Sequence, residues 1–427
     1  MTIAARDLDL DPATLDRVRR RTHWSLVAGV ALGSTGHIAA ATVATIAAQQ
    51  IAESTAWSGA PGASGVFGAA IGAVMLSQLM VRSGRRIGLA AGYGIGLIGA
   101  FVSTLAVVAV SLPLLLIGTL LIGFGNASNQ LSRYVAADLF PAARRASALG
   151  LVVWGATVGA VIGPNLAAPA GAFATRFGLP ELAGAYLVPV LFVGAATVLT
   201  LVALRPDPYA IADPDARHDH PPGERSIPAS LAAVFSRPNV PVAMVALLTV
   251  QIVMVLIMTM TPLHMTEHGH DLGAVGIVIS GHTLGMFALS PLSGRLTDAL
   301  GTVPVILAGM AVTAVSAVMA AVAPPEGGFV LFLALFLLGY GWNLGYVAGS
   351  ALLTHGLSLA ERTRLQGLTD GLIWTSAAAA SLGSGVVVAA ASYATLGLLG
   401  AAMAVIPTLL VIARRSAVRE SGYLSSI

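Results

Sequence analysis

The sequence predicts an all-α membrane protein: 12 transmembrane helices in two pseudo-symmetric six-helix bundles. Three observations predict it. Of 427 residues, 56% are hydrophobic and 10% charged, against roughly 25% charged in a soluble globular protein, and mean hydropathy is +0.85. The apolar residues fall in runs of about 20, the length that crosses a hydrocarbon core as a helix. The 22 cationic residues, all arginine, cluster on alternate breaks between those runs. Small residues suit close packing of membrane helices, and there are 48 glycines. The absence of cysteine removes disulfides, thiolate metal sites and Cys nucleophiles together.

Read in order, the runs lie at 25–48, 63–81, 88–110, 113–133, 147–167, 183–204, 240–262, 273–294, 303–323, 329–352, 367–391 and 395–413. The first follows Arg17, Arg19, Arg20 and Arg21 and is too long for the apolar region of a signal peptide. A cytoplasmic N-terminus leaves only Arg176 of the 22 arginines outside, the bias that the positive-inside rule requires. Residues 1–24 and 414–427 are then cytoplasmic tails, and a bacterial plasma (inner) membrane is the expected location. The longest break, 205–239, holds seven of the 22 prolines and is expected to be a mobile cytoplasmic linker between bundles 25–204 and 240–413. His218 and His220 lie in it with Asp215 and Asp219, read as a solvated polar loop. The net charge of +3 therefore marks the membrane face and not a nucleic-acid partner.

The two halves repeat. Gly123-Phe-Gly-Asn126 echoes Gly339-Tyr-Gly-Trp-Asn343, each followed by a basic loop. Ser77-x-Leu79-x-Val81-Arg82-x-Gly84-Arg85-Arg86 aligns with Gly294-x-Leu296-x-Asp298-Ala299-x-Gly301. Two repeats around a central site are a transporter architecture. These loops resemble those of the major facilitator superfamily, whose pattern G-x-L-x-D-R-x-G-R-R is split between the halves: the first has Val81 in place of the acid, and the second keeps Asp298 without the arginines. The resemblance covers essentially the whole chain. It implies a rocker-switch transporter whose conformational loops hold Arg82, Gly84, Arg85, Arg86 and Asp298.

Ionisable groups inside spans are costly and are functional candidates by default. His37 lies near the middle of the first span and Asp370 one turn from the cytoplasmic end of the eleventh. His37 is read as lining the cavity or bonding a helix backbone. Asp370 is read as a structural pair with Arg364 or a helix terminus, or as a proton-coupling group. The concentrated signal is elsewhere. Between residues 254 and 286 lie five of the twelve methionines (Met254, Met258, Met260, Met265, Met286) and four of the nine histidines (His264, His268, His270, His282). Met254-x-x-x-Met258 puts two thioethers on one face of the seventh span, and His282-x-x-x-Met286 pairs an imidazole with a thioether on the eighth. Helical rise places Met258, Met254, His282 and Met286 about 6, 12, 15 and 21 Å below the outer boundary. Met260, His264, Met265, His268 and His270 would form an outer mouth.

Thioether and neutral imidazole without thiolate suit Cu(I); zinc favours thiolate, carboxylate or several imidazoles. The same residues also serve as apolar packing with contacts to an organic substrate, and both readings stand on residue type alone. The paired motif resembles that of bacterial CcoA-like copper importers within the superfamily, a branch that also includes flavin importers. The resemblance implies that Met254, Met258, His282 and Met286 pass copper as transported substrate, with no resident cofactor. A proton-coupled drug exporter is the rival: Gly150, Gly159, Gly163-Pro164 and Ala167-Ala168 approach the antiporter pattern, although Gly118 stands where those exporters carry an arginine. An intramembrane enzyme would need a nucleophile with a base, or an open metal site with an acid, and no such set lies near the midplane. The expected partners are the lipid bilayer and a small-molecule or metal-ion substrate, with the chain acting as a monomer.

Overall fold

A computed structural model describes residues 11–140, 142–212, 237, 239–324, 328–354 and 359–413. All regular structure among them is helical. The chain divides into two compact units, one within Met1–Glu53 and Ser64–Glu224, the other within Ser54–Ala63 and Arg225–Ile427. Eleven helices are long and apolar enough to cross a membrane, or twelve when one bent pair counts as a single span.

The first unit contains α1 (Pro12–Ala52), α2 (Ala60–Ser83, whose first turn falls in the second unit), α3 (Arg85–Val108), α4 (Leu112–Asp138), α5 (Ala142–Asn165), α6 (Ala167–Thr175), α7 (Glu181–Ala203) and the short α8 (Pro208–Ile211). The first span is expected from residue 25, but α1 begins thirteen residues earlier. Asp11 caps it, accepting from the backbone N–H groups of Ala13 and Thr14 at 3.0 and 2.9 Å, with Pro12 in the first turn. The fifth span is α5 bent by 42° into α6, just after Pro164. Its glycines seat α5 on α1: a Cβ on Gly159 would lie 2.5 Å from the backbone N of Thr35, and one on Gly163 would lie 2.6 Å from the Thr35 carbonyl. The Gly159–Gly163–Pro164 stretch thus provides both a bend and a tight seam.

Part of the expected linker is docked on the first unit. Pro208, Ile211 and Ala212 are buried. The Asp207 carboxylate accepts from the backbone N–H groups of Arg85 (3.1 Å) and Arg86 (3.0 Å). It thereby caps α3, whose own N-cap, Gly84, has no side chain. Arg85 also pairs with Asp138 at 2.7 Å, and Arg21 donates to the Arg205 carbonyl. His218, His220, Asp215 and Asp219 lie outside the described residues, as do residues 1–10 and 414–427 of the two tails.

The second unit contains α9 (Asn239–Glu267), α10 (Leu272–Phe287), α11 (Ser290–Leu300), α12 (Thr302–Val322), α13 (Gly328–Thr354), α14 (Leu359–Ala390) and α15 (Tyr393–Ala413). The eighth span, read as one helix, is α10 and α11 joined at residues 288–289. Pro291, in the first turn of α11, lacks the N–H that would continue the ladder. The loop repeat appears as matching backbone. Gly84 before α3 has φ 91° and ψ 162°, and Gly301 before α12 has φ 86° and ψ 161°, a conformation in which only glycine is unstrained.

Candidate functional site

The site grows from one seam of the second unit, where α10 lies against α13. Glycines bring the backbones together. A Cβ on Gly285 would strike the Phe336 carbonyl, and one on Gly339 would strike the His282 carbonyl. This contact buries His282 completely. Its Nδ1 lies 2.9 Å from the Leu335 carbonyl. A carbonyl only accepts, so Nδ1 carries the proton and the neutral ring presents a bare Nε2. That nitrogen is buried and has no hydrogen-bond partner. Met286 follows one turn on and is half-buried.

The methionine pair of α9 lies on a helix face that meets α13 one to two turns earlier. Leu247, Gln251, Met254 and Met258 recur at helical spacing and share one face. Leu247 meets Gly349 of α13, and Gln251 accepts from Trp342 Nε1 of α13 at 2.8 Å. Met254 is 6% exposed and Met258 is half-buried against the apolar core. Both donor segments therefore pack on α13, each in its own seam, and α9 and α10 touch little.

The expected mouth is not assembled as one cluster. Met260 and Met265 are 1% exposed and lie in the apolar core. His264 stacks on Tyr393 with ring centroids 4.2 Å apart and stands 4.4 Å from His268. His268 is exposed, with Nδ1 2.7 Å from the His264 carbonyl, and His270 is half-buried. Among the described residues no three His, Asp or Glu side chains converge as a metal-holding group. The sulfur atoms turned inward because residues 260 and 265 fall on the packed faces of a helix that continues to Glu267.

His37 lies in the first unit, half-buried, with Nδ1 lacking a partner. Asp370 is half-buried and partnered; the Arg364 side chain lies outside the described residues. Of the residues expected in conformational loops, Arg82 lies in the last turn of α2 and Asp298 within α11, both exposed, while Arg85 and Arg86 open α3 and are half-buried; only Gly84 stands between helices, because each helix runs up to the glycine turn. A Cβ on Gly118 would strike Ser103, so that position has no room for the arginine of the exporter pattern. Sequence reasoning missed the use made of Asn343. It is 2% exposed, donates to the Met286 carbonyl and Ser290 Oγ, both at 2.7 Å, and accepts from Ser293. The signal available was an amide inside an apolar run.

Comparison with known proteins identifies the family. The profile described as Major Facilitator Superfamily matches residues 24–275 and 258–423. The chain belongs to the major facilitator superfamily. Among curated members of the superfamily, it is 38% identical over 381 residues to the uncharacterized MFS-type transporter YdeG of Bacillus subtilis, covering 89% of each chain. It is 28% identical over 363 residues to the riboflavin transporter RfnT of Brucella anthropi, covering 83% of this chain and 86% of that one. The solved nucleoside transporter NupG superposes with a TM-score of 0.70 at 14% identity, covering 93% of this chain and 99% of that one. That likeness shows the superfamily fold. The protein is thus a multi-pass membrane transporter of that fold.

Proposed function

We propose that this transporter imports Cu(I) by alternating access, with both termini cytoplasmic in a bacterial plasma membrane, and catalyses no reaction. The observation that carries the reading is the bare, buried Nε2 of His282 one helical turn from the thioether of Met286. A buried acceptor without a partner is costly. A soft cation held by imidazole and thioether relieves that cost, and the Leu335 carbonyl fixes the tautomer that ligation needs. Met254 and Met258 on α9 would add a further weak two-ligand step in a separate seam, the kind from which a transported ion can be released. The membrane potential favours inward movement of one positive charge by about 2.3 kcal/mol per 100 mV. Proton coupling is not required energetically.

A second reading, flavin import, is favoured by the relation to RfnT across 83% of the chain. Uptake of radiolabelled copper and riboflavin by cells expressing the native chain, Met254→Ala, His282→Ala or Met286→Ala separates the two. Copper uptake lost in the three variants supports the first reading. Riboflavin uptake that persists under a copper chelator and survives the three substitutions supports the second. Extrusion of a dye driven by a proton gradient would instead mark an exporter.

A further inference from the structure

We infer that Asn343 is a positioning residue that clamps the two pieces of the eighth span, α10 and α11, in fixed relation. The break at residues 288–289 deprives the end of α10 of its next hydrogen-bond donors, because a helix that stops leaves its last carbonyls unpaired. Asn343 Nδ2 supplies a donor to one of them, the Met286 carbonyl, at 2.7 Å. The same amide reaches α11 through Ser290 Oγ at 2.7 Å and through the hydroxyl of Ser293, which donates to its Oδ1. Asn343 thus holds the last turn of α10 and the first turn of α11 from a single point on α13. Ser293 is fully buried and Asn343 2% exposed, so water does not compete for these bonds.

Two consequences follow from that placement. On one side of the break the clamp sets the backbone of Met286; on the other it aims α11, the helix that carries Arg295 and Asp298. The role of Met286 as a carrier rests on the copper reading. The clamp itself does not, since it acts through the break at 288–289 whatever the cargo.

The chain has no native cysteine, so a spin-label pair can be introduced without removing any. Ile277→Cys on α10 and Leu300→Cys on α11, 58% and 51% exposed, span the break. Val315→Cys on α12 and Leu398→Cys on α15, both 54% exposed, form a control pair that avoids it. Electron–electron distance measurements on the purified full chain are expected to show a broadened, shifted distribution for the first pair in Asn343→Ala. The control pair stays unchanged. Ser290→Ala, which removes one bond on the α11 side only, gives an intermediate broadening and keeps the test usable if Asn343→Ala folds poorly. In vesicles, the maximal uptake rate of whichever cargo is carried falls about tenfold in Asn343→Ala with KM altered less than about twofold. An unchanged distance distribution for the first pair in both variants overturns the clamp. Loss of copper uptake in Met286→Ala tests the cargo reading separately, because that substitution leaves the Met286 carbonyl in place.

Discussion

The α2–α4 seam of the first unit and the α10–α13 seam of the second are built by the same backbone device and carry different chemistry. A Cβ on Gly123 would strike the Gly65 carbonyl and crowd the Ala69 nitrogen; a Cβ on Gly339 would strike the His282 carbonyl and crowd the Met286 nitrogen. Likewise Gly68 abuts the Leu120 carbonyl and Gly285 the Phe336 carbonyl. In the repeat, Gly65 is therefore the counterpart of His282, Ala69 of Met286 and, by the same register, Ala127 of Asn343. The first seam packs with no polar side chain at those three positions. The imidazole, thioether and amide of the second are thus additions to a contact that glycine alone can make. The imidazole carries a cost, a bare buried nitrogen, and the amide bridges a break that Pro291 makes.

The largest expected effect tests the shared part of the comparison. Gly68→Val and Gly285→Val each drive a side chain into a facing carbonyl, and each should destabilise its own unit by about 3 kcal/mol or more, read as loss of folded yield in detergent. Should either be tolerated, the seams are not equivalent. The added chemistry comes next. His282→Ala should lower copper uptake on the order of 100-fold, at unchanged protein level in the membrane. A smaller effect separates the units at their third and ninth spans. Asp207→Ala removes the carboxylate from the start of α3 and should cost about 1 kcal/mol, measured as a lower midpoint of thermal unfolding. No comparable loss is expected around Gly301, where α12 starts without a side-chain cap. The smallest effect sharpens the contrast. A Cβ on Gly65 meets only the Thr119 carbonyl at 3.5 Å, an ordinary contact. Gly65→Ala should therefore leave transport intact and raise stability by up to about 1 kcal/mol.

The sequence made the membrane class, the number of spans and the repeat legible because all three rest on local signals: runs of apolar residues, breaks, and glycine spacing. The family emerged from two loops whose glycines adopt the same backbone at residues 84 and 301. Features made by distant partners stayed hidden. Asp207 caps a helix that starts more than a hundred residues earlier, and nothing near Gly84 in the chain announces it. The break at 288–289 was foreshadowed by Pro291, but its clamp comes from Asn343 on another helix. Counting Met and His in a window singled out His282 and Met286 together with Met260 and Met265, which pack into the core. Depth along a helix follows from rise per residue, whereas the direction of a side chain depends on the neighbours a helix acquires on folding.

X-ray absorption of the purified native chain loaded with Cu(I) tests the central claim most directly. The account predicts one imidazole together with sulfur scattering around the copper, with the imidazole contribution gone in His282→Ala and the sulfur contribution reduced in Met286→Ala. A native spectrum without sulfur, or one that His282→Ala leaves unchanged, would contradict it.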